Sequence, residues 1–130
     1  MPDHPIDRYE AGLATRRRVL GEAHVARAEA ATGPFDAPFQ QLITEGAWGS
    51  VWSREGLEPR DRSLLTLVLL AALGHWEEFA MHIRATANTG ATPEEVSEAL
   101  LHVAIYAGVP AGNRAFAVAR ETYREMGHDL

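Results

Sequence analysis

The chain contains no cysteine and no lysine, and both absences narrow its possible chemistry. Without a thiol it can form no disulfide, thiolate metal site, cysteine nucleophile or thiol redox pair. All 12 basic side chains are arginine. No side chain can therefore form a Schiff base with a carbonyl substrate or with pyridoxal phosphate. Any catalysis must rely on Asp, Glu, His, Tyr, Ser, Thr and Arg.

Long apolar runs and basic stripes are missing as well. The longest apolar stretch, LLTLVLLAAL at residues 64–73, is too short for a transmembrane helix, which needs about 20 residues. The N-terminal sequence MPDHPIDRYE has no apolar signal-peptide core, so we expect a cytoplasmic protein without membrane contact. The net charge is −6 and the only basic cluster, TRRR, is short, which argues against a nucleic-acid partner.

The composition, the helical periodicity and the helix caps of the sequence predict an all-α protein. The 130 residues are 46% apolar and 23% charged, as expected for one globular domain covering residues 1–130. Strand-like alternation is absent, whereas helical periodicity and helix caps are frequent. We predict a compact single-domain bundle of six to seven helices, with GSVWSREGL as a loop. The helices are expected near residues 6–20, 22–31, 37–48, 59–73, 75–88, 93–107 and 110–126.

The segment at residues 64–73 is apolar on nearly every side. A helix on the surface of a small monomer normally has a single apolar stripe, so this one needs cover all round. Two interpretations are equally compatible with the sequence. Another subunit covers part of the helix, or the helix lies at the centre of the bundle.

Titratable groups gather in the next predicted helix, HWEEFAMHIRATANTG. His75, Glu78, Phe79 and His82 have the spacing that places them on one helix face. A carboxylate one turn from an imidazole can orient it for proton transfer, so Glu78 and His82 are candidate catalytic residues. An exposed structural ion pair has the same spacing. A metal site at His75, Glu78 and His82 is the weaker interpretation, because no established zinc spacing is present.

Several other side chains allow two interpretations each. Trp48 and Trp52 either staple the fold or form the wall of a pocket. Arg62 either pairs with Asp61 or Glu78, or binds a substrate carboxylate. His102 and Tyr106, one turn apart, either belong to the core or face the same binding space.

The sequence motifs resemble the γ-carboxymuconolactone decarboxylases of the protocatechuate branch of aromatic catabolism. The similarity extends over about residues 9–123, and its most specific parts are AWGSVW, HIRATANTG before a capped acidic helix, and AIYAGVPAGN. The wider superfamily includes alkylhydroperoxidase AhpD-like proteins and is all-α and oligomeric. The resemblance therefore implies an AhpD-like fold and a homo-oligomer, expected to be a hexamer.

The superfamily's peroxidases provide a chemical contrast. They carry a CxxC pair whose positions match His75 and Glu78, followed by a histidine that looks like His82. Since this chain has no thiol, peroxidase activity of that type is excluded. The resemblance thereby favours a catalytic role for Glu78 and His82 over a structural ion pair.

The reaction implied by the resemblance is cofactor-free decarboxylation of γ-carboxymuconolactone to β-ketoadipate enol-lactone and CO2. It requires neither a metal nor a cofactor, because the unsaturated lactone is its own electron sink. We expect a proton donor, groups that bind the two carboxylates, and pocket walls. The catalytic candidates are Glu78 and His82, and the substrate-binding candidates are Arg62, Arg16, Trp48, Trp52, His75 and His102.

Two further functions stay open on the sequence. A different lactone-processing enzyme could use the same fold, because specificity can depend on a few pocket residues. A non-catalytic helical binding protein is the other alternative, and it predicts that the helix carrying Glu78 and His82 is exposed to solvent.

Overall fold

The computed structural model describes residues 5–130, and these residues contain helices and no β-strand. Residues 1–4, part of the N-terminal segment interpreted above as lacking a signal peptide, lie outside the described residues. The α-helices are α1 Pro5–Leu20, α2 Glu22–Ala31, α3 Ala37–Ile43, α4 Pro59–Leu73, α5 Trp76–Thr89, α6 Pro93–Tyr106 and α7 Val109–Glu125, with a π-helix at Thr44–Trp52 between α3 and α4. The predicted all-α fold is confirmed.

Capping residues determine where several helices begin or end. Thr92 accepts a hydrogen bond from the Glu95 backbone N–H, and the Glu95 side chain accepts one from the Thr92 N–H, which forms the predicted capping box. Gly90 ends α5 in the left-handed conformation, with a φ of 85°. The hydrogen bond from the Thr92 backbone lowers the pKa of the Glu95 carboxyl group.

The prediction of a loop at GSVWSREGL is partly wrong, because residues 49–52 of this segment are helical. Residues 44–52 form a π-helix, in which hydrogen bonds join residues five apart. Side chains reinforce this wide turn: Ser53 Oγ donates to the Trp48 carbonyl oxygen at 2.6 Å, and Ser50 Oγ donates to the Glu45 carbonyl oxygen at 3.1 Å. Gly49, the first residue of the predicted loop, is accommodated within the π-helix.

The chain divides into two compact units, and the division falls between Glu58 and Pro59. In the first, α1 packs along the π-helix, and Val19, Val25 and Trp48 are buried. In the second, α4, α5, α6 and α7 pack together. The core of this second unit consists of Leu67, Ala71, Phe79, Ile83, Val96, Leu100, Val103, Ala115, Ala119 and Tyr123.

Within the second unit, the apolar helix α4 is covered on one side only. Leu67 and Ala71 are buried in the core. Leu65, Leu69 and Leu73, spaced one turn apart, are 50%, 60% and 69% exposed. This face of α4 is therefore not covered by the second unit, and this favours the interpretation that another subunit covers it.

Among the described residues no helix is long and apolar enough to cross a membrane.

Candidate active site

The second unit places His82 in a protected position on α5. The buried residues of this helix are Phe79, His82, Ile83, Ala85 and Thr86. His82 is 6% exposed, and the neighbouring Phe79 and Ile83 are fully buried. A histidine held among apolar groups meets a substrate with little competition from water, which suits a proton-transfer residue.

Glu78, one turn before His82, is exposed on the same helix. The predicted common face is thus divided by burial: Phe79 and His82 point inward, whereas His75 and Glu78 are exposed. Glu78 is accessible to a ligand from solvent, and His82 lies at the boundary of the core.

The remaining candidates of this unit lie on α4, on α6 and directly before α5. His75 is the residue that precedes α5 and is exposed. His102 is exposed on α6, where its ring stacks on Tyr106 with 6.2 Å between ring centroids. Arg62 is half-buried in the first turn of α4, and its Nε atom is buried.

One predicted partner of Arg62 is engaged elsewhere. Asp61 lies 3.7 Å from Arg60, and Arg60 also forms an ion pair with Glu95 at 3.3 Å. Within residues 5–130 no group of three or more His, Asp or Glu side chains is placed to hold a metal ion. The metal interpretation of His75, Glu78 and His82 therefore gains no support from the geometry.

The first unit carries the two tryptophans on the π-helix. Their ring centroids are 5.2 Å apart and their planes are inclined by 33°. Trp48 is 6% exposed and Trp52 is half-buried. Trp48 therefore belongs to the interior of this unit, whereas Trp52 keeps an accessible edge.

Arg16, on α1, is the other candidate of the first unit. It is 8% exposed, and its Nη1 atom donates to Gln40 Oε1 at 3.1 Å and to Thr44 Oγ1 at 3.4 Å. Burial lowers the pKa of Arg16, and the charge of Glu29 partly offsets this effect. An arginine keeps its charge nonetheless. Gln40 and Thr44 were not predicted from the sequence, in which only their spacing of four residues indicates that they share a face.

Comparison with known proteins places these residues in a family. A family model described as "Carboxymuconolactone decarboxylase family" matches residues 37–121, more than half of the chain. The matched segment contains Trp48, Trp52, Arg62, Glu78 and His82, whereas Arg16 precedes it.

Three of the proteins similar to this chain are decarboxylases. The 4-carboxymuconolactone decarboxylase of Acinetobacter baylyi is 46% identical over 120 residues, which cover 92% of this chain and 90% of that protein. A nitrosuccinic acid decarboxylase of Metarhizium robertsii is 42% identical over 91% of this chain and 82% of its own length. A 4-carboxymuconolactone decarboxylase of Pseudomonas putida is 48% identical over 42 residues, which cover 32% of this chain and 88% of that protein. The chain belongs to the carboxymuconolactone decarboxylase family.

Proposed function

We propose that this protein is a carboxy-lyase that decarboxylates γ-carboxymuconolactone (4-carboxymuconolactone) in protocatechuate catabolism. The observation that carries the proposal is the 46% identity to a 4-carboxymuconolactone decarboxylase over 92% of this chain. The residue inventory is compatible with this chemistry, since the reaction needs neither the thiol nor the lysine that the chain lacks.

The substrate provides its own electron sink. Its γ carbon bears the carboxylate that is lost, and this carbon is joined through the ring double bond to the lactone carbonyl. When the bond to the carboxylate breaks, CO2 leaves and the electron pair spreads onto the carbonyl oxygen. Addition of one proton at the α carbon then gives the enol-lactone, with the double bond shifted. The protein must stabilise the anionic oxygen and supply the proton.

We assign the proton transfer to His82 and Glu78. His82 is partly shielded from water, and Glu78 lies one turn away on α5. In the favoured version His82 delivers the proton, and Glu78 orients the imidazole ring of His82 or returns a proton to it. In the other version the exposed Glu78 carboxyl group is the direct donor and His82 supports it. Both versions use the same two side chains, and single substitutions distinguish them.

The substrate has a second carboxylate on its acetate arm, and arginine suits the binding of carboxylates. We assign this role to Arg62 and Arg16. Trp48 and Trp52 are proposed as apolar pocket walls, which favour loss of a charged carboxylate as neutral CO2. His75 and His102 are proposed to contact the substrate with their exposed rings.

A second candidate substrate is nitrosuccinic acid. The relative of that name is 42% identical over 91% of this chain. Nitrosuccinate is also a dicarboxylate with its own electron sink, because the nitro group can take the electron pair left by CO2. The same proton donor and the same carboxylate-binding residues would serve either substrate.

We expect the purified protein, treated with a chelator, to release CO2 from γ-carboxymuconolactone and to form the enol-lactone in equal amount. CO2 is measured manometrically, and the loss of the lactone is followed by NMR. Nitrosuccinate and a lactone without the γ-carboxylate are tested in parallel. Faster turnover of nitrosuccinate would favour the second candidate, and turnover only of other lactones would favour a different lactone-processing enzyme. No turnover of any of them by folded protein would contradict the proposal and leave a binding role.

We also propose a homo-oligomer, with a hexamer as the expected size, in the cytoplasm, where a small charged catabolic intermediate is available. The support for an oligomer is the exposed row of Leu65, Leu69 and Leu73 on α4. Burying each such side chain contributes roughly 1.5–3 kcal/mol, so water is an unfavourable environment for this row.

We expect sedimentation equilibrium to give a mass several times the 14.2 kDa of one chain. Leu69→Glu is expected to dissociate the assembly, because it places a charge in the apolar contact. Glu77→Gln, a charge change at an exposed position of α5, is the control and should leave the mass unchanged. A monomeric wild-type protein, or a Leu69→Glu variant of unchanged mass, would contradict the assignment of this surface.

A further inference from the structure

The hydroxyl group of Ser63, on α4, is enclosed in the second unit. Ser63 is 0% exposed, and its Oγ atom has no hydrogen-bond partner among the described residues. A serine within a helix normally bonds to the carbonyl oxygen one turn back or faces water. A buried hydroxyl without a partner is costly, and alanine, which has nearly the same shape, would avoid that cost. Packing alone therefore does not explain a serine at this position.

His82 lies on the side of α5 that is turned towards α4. The opposite side of α5 contacts α7, because Arg84 lies 3.9 Å from Glu125 and the Arg114 guanidinium lies 5.9 Å from the centre of the Trp76 ring. At 3.6 residues per turn, His82 is about 120° round the helix from Trp76 and about 160° from Arg84. Since α5 packs against α4 and α7, the side that carries His82 faces α4.

Ser63 and His82 also lie at nearly the same depth in the pair of helices. The short connection between α4 and α5 makes them antiparallel, and the His75 backbone N–H donates to the Leu70 carbonyl oxygen at 2.9 Å across the turn. With a rise of 1.5 Å per residue, Ser63 is about 12 Å from Ala71 along α4, and His82 is about 10 Å from His75 along α5. The buried faces of the two helices therefore bring the hydroxyl group and the imidazole ring to the same level of the core.

The Nδ1 atom is on the buried edge of the His82 ring. An imidazole that is ready to donate a proton is an imidazolium, and both of its ring N–H groups are then hydrogen-bond donors. A buried charged donor is stable only with an acceptor. The oxygen of a serine hydroxyl is such an acceptor, and Ser63 provides one on the helix that His82 faces.

We propose that Ser63 is a positioning residue for His82. Its Oγ atom accepts the Nδ1–H, directly or through one water molecule, and this contact keeps the proton of the neutral ring on Nδ1. The Nε2 atom then delivers the proton to the α carbon of the substrate and takes up a proton afterwards, while the Nδ1 proton stays in place. Return of that proton is left to Glu78, which is exposed. The inference rests on the proposed role of His82 in proton transfer.

NMR of the ring nitrogens tests this contact in the intact protein and requires no turnover, because protonated and unprotonated ring nitrogens have different chemical shifts. Labelling of the six histidines makes the rings visible, and the signals of His82 are those missing from His82→Asn. With the ring neutral, we expect Nδ1 of wild-type His82 to carry the proton and Nε2 to be unprotonated. In Ser63→Ala both nitrogens should shift towards the values of a mixture of the two tautomers.

Ser97→Ala is the matched control, because Ser97 is an exposed serine of α6 in the same unit and the substitution is identical. It should leave the ring nitrogens of His82 unchanged. Alanine is the smaller residue and the better helix former, so we expect both variants to fold, and circular dichroism checks this. The proposal is overturned if wild-type His82 carries its proton on Nε2, or if Ser63→Ala leaves the shifts of His82 as they are in the wild type.

Kinetics with γ-carboxymuconolactone provide a second readout. Loss of one hydrogen bond to His82 should lower kcat by about 10-fold. KM should be unchanged in Ser63→Ala, because the fully buried hydroxyl does not contact the substrate. A raised KM with unchanged kcat would also overturn the proposal. A protein that decarboxylates nothing, but whose Nδ1–H tautomer is lost in Ser63→Ala, would refute the proposed function and keep the contact between Ser63 and His82.

Discussion

His82→Asn is expected to reduce kcat for γ-carboxymuconolactone by about 10²- to 10⁴-fold, the usual contribution of a positioned acid or base. Asparagine is close to histidine in size and keeps hydrogen-bonding capacity, but it cannot carry a proton between pH 5 and 8. His82 is buried on α5, and asparagine changes the shape of the side chain at this position only slightly. We therefore expect the variant to keep its fold. The rates of CO2 release and enol-lactone formation measure the loss of activity. The circular dichroism spectrum measures separately whether the fold is preserved.

Glu78→Gln tests the second half of the same pair. If His82 is the donor, this variant should lose less activity than His82→Asn, and the reverse order identifies Glu78 as the donor. Glu77→Gln removes the same charge one residue earlier, at another exposed position of α5, and should retain full activity. Unchanged rates in both His82→Asn and Glu78→Gln would eliminate this pair as the catalytic residues.

The largest effect on stability is expected from Gly12→Ala. A methyl group at Gly12 of α1 would overlap the Thr44 carbonyl oxygen and lie 2.8 Å from the Gly49 backbone nitrogen. Both obstacles are backbone atoms, so α1 and the π-helix would have to separate. Overpacking of this kind typically costs 1–3 kcal/mol, and we expect about 3 kcal/mol here because no side chain can move aside.

Thermal unfolding measures this change, and the melting temperature should fall by roughly 10 °C. Gly46→Ala is the control, since a methyl group at Gly46 in the same π-helix meets no atom within 4 Å. That variant should be as stable as the wild type or slightly more so, because alanine favours helical backbone over glycine. Equal melting temperatures for the two variants would disprove the close contact between α1 and the π-helix.

Most helix positions could be predicted because their signals are local. The predicted helix 59–73 coincides with α4, and the capping box at Thr92 and Glu95 marks the start of α6. Periodicity and caps involve residues three or four apart, so one sequence window contains the information. The π-helix was missed because its wide turn depends on packing against α1 through Gly12 and Gly49, two positions far apart in the chain.

The candidate site was only partly predictable. Spacing on one helix identified Glu78 and His82 as neighbours, and the family match covers both residues. The surroundings of Arg16 were not predictable, because Gln40 and Thr44 are 24 and 28 residues away and reach it only after α1 has packed along the π-helix that follows α3. A hydrogen bond between such distant residues leaves no periodic pattern.

The residue types by themselves determined that thiol and Schiff-base chemistry are excluded, and local spacing determined an all-α chain with its main helix caps. Burial was decided only by the tertiary structure. His82 is buried and Glu78 is exposed although they are one turn apart, and Arg16 is buried although the adjacent Arg17 is exposed. The physical reason is that burial depends on which other helix covers each side, and that contact joins residues distant in sequence.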